Sequence, residues 1–159
     1  MPSEVERLTP DVVILMTTLA DLTNRIWTED EGVLTPQDDP YQQHMTDEYN
    51  DVTRRLIDLG VPNIVWIVPP TPIGIPAAPE MAELERWDVM REVLLTVEAD
   101  NPDHVTVIDL ASWMHLTGRT EDQSWRPDGL HIAEDPALEL AEEFLGPMLV
   151  RIALGLPAS

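Results

Sequence analysis

Three short runs of apolar, mostly β-branched residues punctuate the chain: Asp11–Met16, Asn63–Val68 and His104–Ile108. Runs of this kind, apolar with little alternation, are the pattern of strands buried on both faces of a helix-covered parallel sheet. Between them the period changes to that of helices. Met45, Tyr49, Val52, Leu56 and Leu59 recur at helical spacing, with Thr46 as cap and Gly60 just past the end. Leu84, Trp87, Met90, Leu94 and Val97 predict a second helix from about Glu80 to Ala99, which Asn101-Pro102 stops. Asp109 to Trp113 reads as the start of a short helix. A last one begins at Asp135 as cap with Pro136 in first position, carries Leu138, Ala141, Phe144 and Leu145, and should kink or split at Gly146-Pro147 before Met148 to Leu154.

Strand, helix, strand, helix, strand, helix predicts an α/β fold with a parallel sheet and right-handed crossovers. In such sheets ligands bind beyond the carboxyl ends of the strands. The loops that emerge there are Thr17 to His44, Pro69 to Pro79, and Asp109 to Asp135. The first is too long for a plain connection, and the second, opening Pro69-Pro70-Thr71-Pro72-Ile73-Gly74-Ile75-Pro76, is stiff.

Length and charge narrow the functions. A chain of 159 residues with 43% hydrophobic content suits one soluble domain spanning residues 1–159. Its net charge of -21, from 30 acidic residues against 9 arginines and no lysine, repels phosphates and anionic lipid, so neither nucleic acid nor a membrane surface is expected as partner. The absence of Cys removes disulfides, thiolate metal sites and a cysteine nucleophile. The first ten residues hold no apolar run of the signal-peptide kind, and the compartment is left open.

Chemistry concentrates in Trp125-Arg126-Pro127-Asp128-Gly129-Leu130-His131, on the third of these loops. An Asp that accepts a hydrogen bond from one imidazole nitrogen fixes the tautomer and frees the other nitrogen to take a proton from a hydroxyl. Asp128 and His131 are therefore the candidate orienter and base. Gly129 permits the turn and Pro127 stiffens its approach. Arg126 suits either an anionic group or a neighbouring acid. His44, His104 and His115 have no carboxylate at a set spacing and read as solvated; Trp66, Trp87 and Trp113 read as core or pocket wall.

From Pro10 to Leu154 the chain resembles the carboxyl-terminal part of the SGNH, or GDSL-type, hydrolase family, most closely SGNH-like domains associated with acyltransferases. The motifs that carry the resemblance are Asp128 and His131, as the family's Asp-x-x-His ahead of the final helix, and Val107-Ile108-Asp109-Leu110 with Trp113 upstream. It implies a three-layer α/β/α flavodoxin-like parallel sheet, incomplete at its amino-terminal side, and a serine esterase chemistry on a small-molecule or glycan O-acyl ester. It implies no cofactor and no metal.

The family's earlier blocks are missing. Its Gly-Asp-Ser nucleophile should lie on a strand well before Val12, and none of Ser3, Ser112, Ser124 and Ser159 follows a buried strand in the required turn. The Gly-x-Asn-Asp block reads Thr18-Leu19-Ala20-Asp21 here, leaving Thr17, Thr18 and Asp21 as substrate-binding or loop candidates together with Arg126. Loss of one oxyanion donor costs about 100- to 1000-fold in turnover, and loss of the nucleophile closes the acyl-enzyme route. The expectation is a truncated hydrolase without appreciable activity of its own; the alternative is a non-catalytic remnant that binds a ligand or partner on the same edge. Thr17 or Thr18 as substitute nucleophile, and a metal held by Asp128, His131, Glu134 and Asp135, are further alternatives. Lacking the neighbouring nucleophile strand, Val12–Met16 should present an open edge and promote self-association.

Overall fold

The computed structural model of the protein describes residues 2–73 and 79–157. Gly74-Ile75-Pro76 of the stiff loop, and Ser159, fall outside these.

The described residues form a three-stranded parallel sheet in the order β1 (Val12–Met16), β2 (Asn63–Val68), β3 (Val105–Asp109). Because the chain steps across the sheet in one direction, both crossover helices belong on one face. These are α2 (Asp39–Asp58) and α3 (Leu84–Asp100), whose Tyr41, Met45, Leu56, Met90 and Leu94 pack with Ile64, Trp66 and Val68 of β2. The alternate β2 residues, Val65 and Ile67, pack on the other face with Leu110 and Met114 of α4 (Leu110–Leu116), Leu140 of α5 (Glu134–Leu140) and Ile152 of α6 (Gly146–Ala153). The period-2 alternation of β2 thus divides the core into two clusters.

Only β2 and, in part, β3 match the expected burial. In β1, Ile14 and Met16 are 47% and 55% exposed, which corrects its reading as a strand buried on both faces. Its apolar run reflects an edge strand on which helix cover ends at Val12. Among the described residues β1 pairs with β2 alone.

Helix ends also differ from the pattern. The first residues form α1 (Pro2–Leu8), which buries Val5, an element the polar composition hid. α2 starts not near Thr46 but at Asp39, after Asp38, with Pro40 in its first turn; Tyr41 then buries one turn before Met45. The long first loop is correspondingly shorter, and holds a 3-10 turn (Leu19–Leu22) and an antiparallel bridge between Arg25 and Leu34. A 3-10 turn (Pro79–Ala82) precedes α3, and β3 lies one residue later than expected. Ala133, not Asp135, is the cap of α5. At Gly146-Pro147 the helix neither splits nor stops. It widens into a π-turn (Ala141–Leu145) in which Gly146 N–H bonds Ala141 O, which accommodates a proline that cannot donate to the i-4 carbonyl.

Candidate active site

Beyond the carboxyl ends of β1 and β2 lies a cleft of about 430 Å³. One wall is the chain leaving β1, Met16 to Ala20; another is Pro69 and Pro70 leaving β2; Leu130, His131 and Ile132 supply the third, and Trp87 and Leu110 also line it. Topology explains the meeting: parallel strands deliver all their exit loops to one edge.

The Asp128–His131 turn is built by short-range bonds. Asp128 Oδ1 accepts the N–H groups of Leu130 (2.9 Å) and His131 (2.7 Å). Its Oδ2 lies 2.7 Å from His131 Nδ1. The His131 side-chain bond, then the backbone amides of His131 and Leu130, hold the Asp128 carboxyl well below the usual carboxylate range. An ionised Asp128 requires the proton on Nδ1, which leaves Nε2 as the basic nitrogen, with no hydrogen bond among the described residues. The pair is open to solvent: the His131 side chain is 78% exposed and sits at the rim of the cleft.

Two features seat this turn. Gly129, at φ +74°, lies so close to the chain leaving β2 that an added Cβ would be 2.2 Å from Ile73 O. Arg126 is 2% exposed and donates to Thr71 O at 2.7 Å, with longer bonds to Thr120 O, Leu130 O and Pro70 O. Arg126 does not line the cleft, and among the described residues no acidic side chain bonds to it. Its Nη1 and Nη2 bond backbone carbonyls that tie the second and third exit loops together, while Nε is buried with no partner among the described residues. Burial lowers its pKa, opposed by the Asp128 charge.

Compared with family models, curated proteins and solved structures, the chain matches none. Its chemistry rests on geometry alone.

Of the remaining candidates, Thr17 and Thr18 line the cleft with His131. Thr17 Oγ1 is buried without a hydrogen-bond partner, so no base-to-nucleophile bond joins it to His131. Asp21 is not in the wall. It accepts Thr18 N–H (2.7 Å) and the Thr18 hydroxyl (3.2 Å), and pairs with Arg25, closing the 3-10 turn. The hydroxyls of Ser112 and Ser124 donate to Asp109 and Asp122, and neither serine lines the cleft.

His44 departs from its solvated reading. Its Nε2 lies 2.8 Å from Glu31, and its ring stacks on Trp27, whose Nε1 donates to Glu48. Thirteen residues separate His44 from Glu31, a contact that no local spacing announces. Trp27 and Arg25 thus anchor the first loop to α2. Trp66 and Trp87 are buried as expected, and Trp113 stacks on Phe144.

Pattern reading missed a second hollow of about 330 Å³ on the far side of Pro69 and Trp87. In it Arg91 Nε donates to Asp109 Oδ2 at 2.6 Å. Burial pushes the Asp109 carboxyl up, but the Arg91 bond and those of the Ser112 amide and hydroxyl outweigh it and hold it low. Asp109 at a strand end was the available signal; Arg91, on a helix, gave none. Among the described residues no three metal-ligating side chains converge, and no helix is long and apolar enough to cross a membrane.

Proposed function

We propose that the chain carries the base-and-orienter part of an SGNH-type ester-hydrolysing site on a flavodoxin-like α/β scaffold. One observation carries the reading: Asp128 holds His131 Nδ1 at 2.7 Å while His131 stands at the rim of a cleft at the carboxyl edge of a parallel sheet. In that arrangement Nε2 takes the proton from a hydroxyl as it attacks the ester carbonyl, and returns it to the leaving alkoxide. Asp128 stabilises the imidazolium formed between those steps. The substrate class is an O-acyl ester of a small molecule or glycan, and the reaction is deacylation or acyl transfer.

The chain contains no Gly-Asp-Ser segment, and the hydroxyls of Ser112 and Ser124 are bonded elsewhere. Acyl-enzyme chemistry needs that hydroxyl. Among the described residues, the attacking groups left to His131 are water and the hydroxyls of Thr17 and Thr18, which line the same cleft. The same observation favours a second reading, a module that binds the ester without turning it over.

Binding and turnover of p-nitrophenyl acetate test both. We expect NMR titration to move the His131 ring resonances and stopped-flow hydrolysis to show no acyl-enzyme burst. Turnover above buffer that vanishes in His131→Ala supports the hydrolytic reading; binding at His131 without such turnover supports the module. A ligand that leaves His131 unmoved, or hydrolysis unchanged in His131→Ala, removes the assignment.

A further inference from the structure

The loop that carries Asp128 and His131 stands on two legs. Trp125 O accepts the Ala133 N–H at 2.8 Å, which closes the segment from Arg126 to Ile132 at its foot, and Ala133 leads directly into α5. The turn's own bonds fix the His131 ring against Asp128, while Gly129 and Arg126 fix its crest against the chain leaving β2. Neither sets how the two legs are seated. That depends on what holds Trp125 and α5.

Arg119 touches both. Its guanidinium carbon lies 4.6 Å from the centroid of the Trp125 ring and 4.7 Å from that of Trp113, two indoles tilted by 57° with centroids 6.0 Å apart. The cation therefore sits in a V of two π-faces. Trp113, on α4, is backed by Phe144, which stacks on it at 4.7 Å and 15°. Arg119 Nη2 donates to Glu139 Oε1 on α5 at 2.5 Å and lies 3.7 Å from Glu143 in the π-turn. One side chain thus joins the entry leg, α4 and the helix that continues the exit leg. Trp125 is buried, and Arg119 Nε is buried with no partner among the described residues, so the ring faces and the Glu139 bond hold the guanidinium. Cation–π contacts are stronger in such desolvated surroundings than at an open surface.

We propose that Arg119 is a positioning residue for His131: it clamps the two legs of the loop, so that the imidazole is presented at one place on the rim of the cleft. The inference rests on the reading of His131 as base and adds what holds that base. Arg119 makes no hydrogen bond to Asp128 or His131 and acts through Trp125 and α5. Such a clamp matters because a misplacement of about 1 Å, caused far from the chemistry, can cost on the order of 100-fold in rate.

Nitrogen-15 relaxation of the full chain without ligand reads the clamp independently of activity. In the wild type, the amides of the loop and the His131 ring should share the order parameter of a rigid backbone, about 0.85. Arg119→Met keeps an unbranched stem and removes the cation. It should lower the loop amides and the ring below about 0.6, with β2 unchanged and the ring proton still on Nδ1. Arg119→Lys, whose ammonium still reaches an indole face and Glu139, should restore most of that order, and Glu139→Ala should loosen the loop to a smaller extent. A loop as rigid in Arg119→Met as in the wild type overturns the proposal; so does loosening that reaches β2 equally, the mark of a merely structural role, or a lysine variant no better than methionine. Should Arg119→Met fail to fold, Glu139→Ala decides: unchanged order at His131 overturns the proposal. Order that depends on Arg119 in a chain whose His131 ignores p-nitrophenyl acetate leaves the clamp standing and removes the ester reading. A response to that ester at His131, with a loop indifferent to Arg119, does the reverse.

Discussion

Ile73 and Gly129 lock two exit loops together through their backbones: Ile73 N–H donates to Gly129 O at 2.8 Å, and Ile73 O occupies the space where a Cβ at Gly129 would stand. The contact places the Asp128–His131 turn against the chain leaving β2. Gly129 is therefore required twice, for its φ of +74° and for its missing side chain.

Gly129→Ala should destabilise the protein more than Gly118→Ala. Both glycines are left-handed, at +74° and +72°, but a Cβ at Gly118 meets nothing within 4 Å. The left-handed strain alone is worth about 1–2 kcal/mol. Urea denaturation of both variants should show that loss at Gly118 and a clearly larger one at Gly129. Equal losses would mean that the Ile73 contact contributes nothing.

Asp128→Asn should separate folding from tautomer control. The carboxamide oxygen can still accept the Leu130 and His131 amides, but its N–H₂ then faces His131 Nδ1 and moves the ring proton to Nε2. Nitrogen-15 shifts of the ring should report the switch while the far-ultraviolet spectrum stays unchanged. A ring still protonated at Nδ1 in the variant would show that Asp128 does not set the tautomer.

The pH dependence of this turn follows from the lowered Asp128 pKa. A carboxyl depressed in the folded state binds its proton less readily there than when unfolded, so its contribution is fully present above the unfolded value of about 3.9 and is lost as pH falls through the folded one. The carbon-13 signal of the Asp128 carboxyl should remain that of the ion at pH 3. Titration near pH 4 would show the bonds to be absent in solution.

Arg126→Ala should cost about 3 kcal/mol, since it removes charge-assisted bonds and leaves buried carbonyls of two loops unpaired. Arg126→Lys should recover only part of this, because a single ammonium cannot span acceptors on separate segments. Thermal unfolding of the two variants is the measure. A loss below about 1 kcal/mol for alanine would show that the loops hold each other without it.

The edge of β1 that pairs with no strand among the described residues, with Ile14 and Met16 exposed, should make the chain self-associate as salt screens its charge of -21. Ultracentrifugation across a salt series should show dimers that Ile14→Lys dissolves. A monomer at every salt concentration would sink the idea.

The sequence by itself determined the parallel α/β architecture. Apolar runs at β2 and β3, and the helical stripes of α2 and α3, are local periodicities that survive without knowledge of neighbours. It determined the Asp128–His131 contact for the same reason: four residues of a Gly-containing turn hold both groups. What lay outside local pattern was decided by packing. Exposure of Ile14 and Met16 depends on where helix cover stops, and the same apolar run would be written for a central strand. The employment of Arg126, the His44–Glu31 pair and the Arg91–Asp109 pair all join residues far apart in the chain, where spacing holds no information. Thr17 is the sharpest case. Its place at a strand end was legible, but only the walls that close around it after folding bury its hydroxyl, with no hydrogen-bond partner among the described residues.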